Sequence, residues 1–145
     1  MKNILTPLFL LLFTFSAFTQ STEEKAIIQT IESEHKAFSE RNLDEYLSFV
    51  HKSENILWGN GIDLSVRGYK NVVQTFTDYF KNNSKPTPPN IFSNYQITLN
   101  AAGDRAMVSF DSTSKDGKMV LKEQRILVKT DGSWKIAAMM VLRVE

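Results

Sequence analysis

The chain has 145 residues, with 17 Lys+Arg against 16 Asp+Glu, two histidines and no cysteine. That length fits one compact domain and leaves no room for two. The near-neutral balance excludes recruitment of nucleic acid or anionic membrane by bulk charge, and the lack of cysteine excludes disulfides and thiolate nucleophiles.

Met1-Lys2-Asn3 gives a short positive start, Ile4 to Phe15 is almost wholly apolar, and Ser16-Ala17-Phe18-Thr19 supplies small residues before Gln20. This layout reads as a secretory signal peptide over residues 1–19, cleaved before Gln20, with residues 20–145 as the exported domain. The apolar run is too short to span a bilayer comfortably, so the alternative of a retained N-terminal anchor is disfavoured. The expected location is periplasmic or secreted, with no membrane contact after cleavage.

From Thr22 the apolar residues Ala26, Ile27, Ile31 and Phe38 recur at helical spacing to about Glu40, with Ser21 or Thr22 as N-cap. Arg41-Asn42 breaks that helix, and Leu43 to Val50 predicts a short second one. Glu54 to Trp58 reads as a strand that ends at the Gly59-Asn60-Gly61 bend. Tyr69 to Asn82 carries Val72, Val73, Phe76, Tyr79 and Phe80 at helical spacing, and Pro86, Pro88 and Pro89 make an irregular connector. Four strands follow: Ile91–Asn100, Arg105–Thr113, Lys118–Lys129 and Trp134–Val144. The last two are joined at Asp131-Gly132, a pair that supplies the positive φ angles of a two-residue hairpin turn.

This order of elements, with Asn42-Leu43-Asp44, Arg67-Gly68, Ala106-Met107-Val108 and Gly132-Ser133-Trp134-Lys135-Ile136 as local cues, resembles the nuclear transport factor 2-like superfamily and its SnoaL-like branch. The resemblance covers about residues 22–144. It implies an α+β cone, three N-terminal helices packed on a curved mixed or antiparallel sheet, a pocket at the wide end, and homodimers formed through the sheet. The superfamily hosts isomerases, cyclases, dehydratases, epoxide hydrolases and proteins without activity, so site residues must carry the function.

Glu123 and Arg125 lie two apart on a strand and leave it on the same face. Inside the cone they would form a polar spot in an apolar pocket; on the outside they would be a surface ion pair worth at most about 1 kcal/mol. The spacing resembles the epoxide-hydrolase branch with the order of charges reversed. Asp63 and Asp111 are the candidate general bases, with Arg125 as electrostatic support, if burial raises either carboxyl toward neutrality. Residues of this kind more often serve simply as turn or rim residues. His35 falls four residues after Ile31 and faces the expected pocket, while His51 ends the second helix. Neither has a metal-ligand neighbour in sequence, so no metal and no cofactor is expected.

The last strand places Trp134, Ile136, Ala138, Met140 and Leu142 on one face. Catalytic relatives commonly hold histidines or acids at the positions matching Ala138 and Met140, so this wall suits an apolar ligand rather than proton transfer. The expected pocket is therefore Trp58, Phe80, Phe110, Arg125, Met140 and His35, although aromatic residues at this spacing also serve simply as core. The leading reading is an exported small-molecule-binding domain for an apolar or amphipathic ligand. Two alternatives stand beside it: a cofactor-independent isomerase, dehydratase or hydrolase, and a non-catalytic dimeric interaction module.

Overall fold

A computed structural model describes the backbone of residues 6–59 and 65–143 and the side chains of residues 22–59 and 65–142. Helix α1 spans Thr6–Glu40, α2 Leu43–Ser48, β1 Leu57–Gly59, β2 Ser65–Arg67, α3 Tyr69–Asn82, β3 Ile91–Leu99, β4 Arg105–Thr113, β5 Val120–Thr130 and β6 Ser133–Arg143. The first helix does not start at a Ser21 or Thr22 cap. It continues back to Thr6, because leucine is a strong helix former and Pro7 falls in the first turn, where proline is tolerated. Its buried face begins at Ile27 and Ile31.

Asn42 ends the break after α1 and caps α2, its side-chain oxygen accepting from the Glu45 N–H at 3.3 Å. Gly68 stands before α3 with φ 84°, a backbone conformation that strains any side chain and suits glycine. On α3 the buried residues are Val72, Phe76 and Phe80, at the four-residue spacing that the sequence displays.

The strands form one open six-stranded sheet in the order β2-β1-β6-β5-β4-β3. β1 runs parallel to β6, and every other pair is antiparallel. The sequence showed the four-strand meander but neither β2 nor the insertion of β1 beside the last strand. Asp131 and Gly132 take φ 50° and 76° between the paired residues Thr130 and Ser133, the two-residue reversal expected of Asp-Gly. Glu23 of α1 ties this hairpin down by accepting from Lys129 Nζ at 2.5 Å and from Trp134 Nε1 at 2.8 Å.

One face of the sheet is covered by the helices. Ala106, Val108, Phe110 and Ser112 of β4 and Glu123, Arg125 and Leu127 of β5 point into that layer and are buried. They join Ile27, Ile31, Tyr46, Ile56, Trp58, Val72 and Ile136, and each fully buried aliphatic side chain contributes about 2 kcal/mol. Two bulges interrupt the alternation. One falls at Asn94, φ 56°, between Ser93 and Gln96 of β3. In the other, Ile126 pairs with Ala138 and Leu127 with Ile136, leaving Ala137 as an extra residue on β6.

The second bulge corrects the expected face of the last strand. Trp134 and Ile136 point inward, but beyond Ala137 the inward positions become Met139 and Val141, opposite Arg125 and Glu123. Ala138 and Met140 therefore stand on the outer face, where Ala138 neighbours the exposed Ile126.

Candidate functional site

The inner face of α1 is built on Ile27, Ile31, Glu34, Phe38 and, just past its end, Arg41, positions that fall on one side at 3.6 residues per turn. Glu34 is an acid on an apolar stripe, and it is only 3 % exposed. It meets Arg125 of β5, whose guanidinium lies 2.7 Å from Glu123 Oε2 and 3.9 Å from Glu34 Oε2. The contact with Glu123 is close but oblique. Glu123 Oε2, Arg125 Nε and Arg125 Nη1 make no directed hydrogen bond with any described residue. The Phe110 ring lies 5.6 Å from the Arg125 guanidinium carbon and closes its other side.

A relay leads into this cluster from β1. Trp58 Nε1 donates to the Tyr46 hydroxyl at 2.9 Å, and the hydroxyl hydrogen-bonds the Glu34 carboxyl. Burial raises the Glu34 carboxyl from 4.5 to about 7, and the Glu123 charge adds to the rise while Arg125 and the Tyr46 hydroxyl oppose it. Burial also pushes Tyr46 well up, with the Glu34 charge adding to it, so its hydroxyl stays a donor. Glu34 is thus a buried acid whose proton is exchangeable near neutral pH.

These groups lie at the end of a cavity of about 400 Å³. Glu34, Tyr46 and Glu123 supply its polar end, and Phe38, Phe76, Tyr79, Leu121, Met139 and Val141 much of its apolar wall. The size and the apolar lining with few convergent polar groups are those of a small-ligand site. His35 lines it too, and the Asn90 backbone N–H donates to its Nε2 at 3.0 Å, strapping the proline-rich connector to α1. Burial lowers the His35 pKa, so the ring is held neutral, as its acceptor role requires.

The other expected site residues fall elsewhere. Trp58 is fully buried behind Tyr46, and Phe80 and Phe110 pack in the aromatic core rather than on the cavity wall. Arg125 is reached through Glu34 and Glu123. Met140 is excluded from the wall by the Ala137 bulge, and Met139 replaces it. Asp111 occupies an outward position on β4, where Lys122 and Asn94 bind it. The hydrogen bond from Lys122 lowers its pKa, the opposite of what a general base needs. Asp63 lies outside the described residues. No group of three or more His, Asp or Glu able to hold a metal occurs among the described residues, and no helix there is long and apolar enough to cross a membrane.

In the sequence Glu34 reads as one more charge on an amphipathic helix. Its signal was its place, three residues after Ile31 and four before Phe38, on the side that the apolar residues define.

Several solved structures share this fold. A candidate dehydratase of the nuclear transport factor 2-like family from Streptomyces avermitilis superposes with a TM-score of 0.69 at 11% identity, covering 86% of this chain and 97% of that one. A cystatin-like fold protein from Burkholderia xenovorans LB400 gives 0.67 at 15% identity, covering 86% and 94%. A protein of unknown function from Pectobacterium atrosepticum gives 0.66 at 15% identity, covering 83% and 90%. No curated protein matches the sequence. The SnoaL-like domain model matches residues 27–140, from the first buried turn of α1 to the far side of the β6 bulge, and the chain belongs to that family, with the nuclear transport factor 2-like fold of its structural neighbours.

Proposed function

We propose that this domain binds a small amphipathic molecule, its apolar body against Phe38, Phe76, Leu121 and Met139 and its polar end at Glu34, Tyr46 and Glu123. The observation that carries this reading is a cavity of about 400 Å³ whose largely apolar wall meets a few polar side chains, Glu34, Tyr46 and Glu123 among them. Buried polar groups are favoured when hydrogen-bonded; a ligand hydroxyl can donate to a carboxylate there, and a ligand carbonyl can accept from the protonated Glu34. The neutral dye Nile red tests it with the purified full chain. Fluorescence enhancement that is lost when Met139→Trp fills the cavity is the expected result; equal enhancement in both proteins overturns the reading.

Proton transfer on the bound molecule is the second reading, favoured by the Glu34 carboxyl at about 7. A base of that strength takes a proton from carbon beside a carbonyl and returns it to another atom of the same molecule, which is a cofactor-independent isomerisation; elimination or hydrolysis needs the same group. Arg125 offsets the charge that develops. Deuterium incorporation into a ligand retained from purification, followed by mass spectrometry in heavy water, is expected for the native chain and not for Glu34→Gln. No incorporation in the native chain removes this reading and leaves binding standing.

Export through residues 1–19 and self-association through the outer sheet face complete the proposal. Met107 and Ile126 are cross-strand neighbours on that face, 49% and 44% exposed, which supports a sheet-to-sheet dimer.

A further inference from the structure

Arg41 is an unusual residue for its position. It takes φ 62°, a left-handed conformation in which side chains beyond glycine are uncommon, and it follows the last turn of α1 directly. Its guanidinium lies over three rings at once, with centroids 5.0 Å away at Phe38, 5.5 Å at Tyr79 and 5.7 Å at Phe80. Nη1 donates to the Phe38 carbonyl at 2.8 Å and Nε to the Lys85 carbonyl at 3.3 Å. The rest of its five N–H donors, both on Nη2 included, have no partner among the described residues. No carboxylate there pairs with it, although the chain's acids do pair with Lys36, Lys118, Lys122, Arg125 and Lys129. A planar cation is thus fixed in place with part of its fork free.

That cation lines the same cavity as Glu34 and Glu123. Arg41 follows the last residue of α1, two turns after Glu34, and both line the cavity. Glu34 and Glu123 are 3 % and 5 % exposed, while Arg41 is half-buried, so the two acids mark the deep end and Arg41 the mouth. The deep end already holds two carboxyl groups around one guanidinium, an arrangement that repels a third. The mouth holds positive charge with no carboxylate paired to it among the described residues, presented as a fork that matches a carboxylate.

We infer that the ligand is an amphipathic carboxylate, bound with its anionic end on Arg41 at the mouth and a neutral hydroxyl or carbonyl end among Glu34, Tyr46 and Glu123. This rests on the cavity being a binding site and adds the ligand's class, polarity and direction. It separates the two ends of the molecule: one is held by charge, and the other is where Glu34 acts.

The probes are ω-hydroxyoctanoate and its methyl ester, in which a methyl group removes the charge at one end, titrated calorimetrically into the purified full chain. The acid is expected to bind about tenfold or more tightly than the ester, the scale of one hydrogen-bonded charge pair. Arg41→Met keeps an unbranched apolar stem over the three rings, and in it acid and ester are expected to bind alike. Circular dichroism and a thermal unfolding transition like those of the native chain show that the variant remains folded. Equal affinity for the two probes in the native chain overturns the inference, as does an acid preference that survives in Arg41→Met. In either case, Nile red enhancement that Met139→Trp abolishes shows that the cavity reading stands without it. If neither probe binds and the dye is indifferent to Met139→Trp, both fall together.

Discussion

Glu34 shows how burial turns an ordinary side chain into a functional one. An exposed glutamate on a helix is a solvated charge, but here apolar neighbours on α1 and the covered sheet face withdraw the water that would stabilise the anion. Moving the carboxyl from 4.5 to about 7 corresponds to about 3 kcal/mol, present as a strain on the folded state whenever the group ionises. Because the folded value is the raised one, the stabilising effect of the protonated acid is complete below pH 4.5 and is lost as pH rises through about 7. Glu34→Gln, which copies the protonated acid, is therefore expected to match the native chain in stability at pH 4.5 and to exceed it increasingly up to pH 8, by about 3 kcal/mol or less. Urea unfolding of both proteins across that range checks it, and a constant difference refutes the assignment. His35 works with the opposite sign. Its folded value is lowered, so its contribution is complete above the ordinary 6.5 and falls away as acid protonates the ring and removes the acceptor for the Asn90 N–H.

At the scale of elements, the consequential feature is a single residue of slippage. Side chains on a strand alternate with a period of two, so the extra residue at Ala137 moves every later position of β6 to the other face. Strict alternation from Trp134 would aim Met140 and Leu142 into the cavity; the bulge aims Met139 and Val141 there instead, while Leu142 is 51% exposed. Two lysine substitutions separate the cases. Met139→Lys puts a second cation beside Arg125 and is expected to cost about 2 kcal/mol or more, whereas Met140→Lys, on the outer face, is expected to fall within about 0.5 kcal/mol of the native chain. Chemical denaturation distinguishes them, and the reverse order of costs would place the bulge elsewhere. The hairpin that follows β5 needs no such correction. Asp131-Gly132 fixes its register through local backbone geometry, and local geometry is written in adjacent residues.

Across the whole molecule, the sheet keeps two different faces. One is filled by the helices and the cavity. The other carries Met107, Ile126 and Leu142 in the open, so a monomer leaves apolar surface on a broad open sheet. Self-association through that face is expected to give a dimer mass by light scattering at micromolar concentration, and Ile126→Lys, placed at its centre between Met107 and Ala138, is expected to give a monomer with unchanged helix and strand signals in circular dichroism. A native monomer refutes the proposed dimer. Since Ile126 and Arg125 leave β5 on opposite faces, the variant should bind Nile red as the native chain does.

Much of this protein was determined by local pattern. The spacing of Val72, Phe76 and Phe80 defined α3 to its ends, alternation defined β4 to its ends, and Asp131-Gly132 fixed the closing reversal. The shared face of Glu123 and Arg125 followed from the same two-residue period. Four things were decided only by tertiary structure. The parallel pairing of β1 with β6 joins segments far apart in sequence, and no local signal names a distant partner. The Ala137 bulge depends on how β5 and β6 pair, which alternation within one strand cannot report. Asp111 became a solvent-facing partner of Lys122 because its strand position, rather than its residue type, selected the outer face. Glu34 became the central acid because folding placed it against Arg125 and removed its water; charge is a property of the residue, but its protonation near neutral pH is a property of the surroundings.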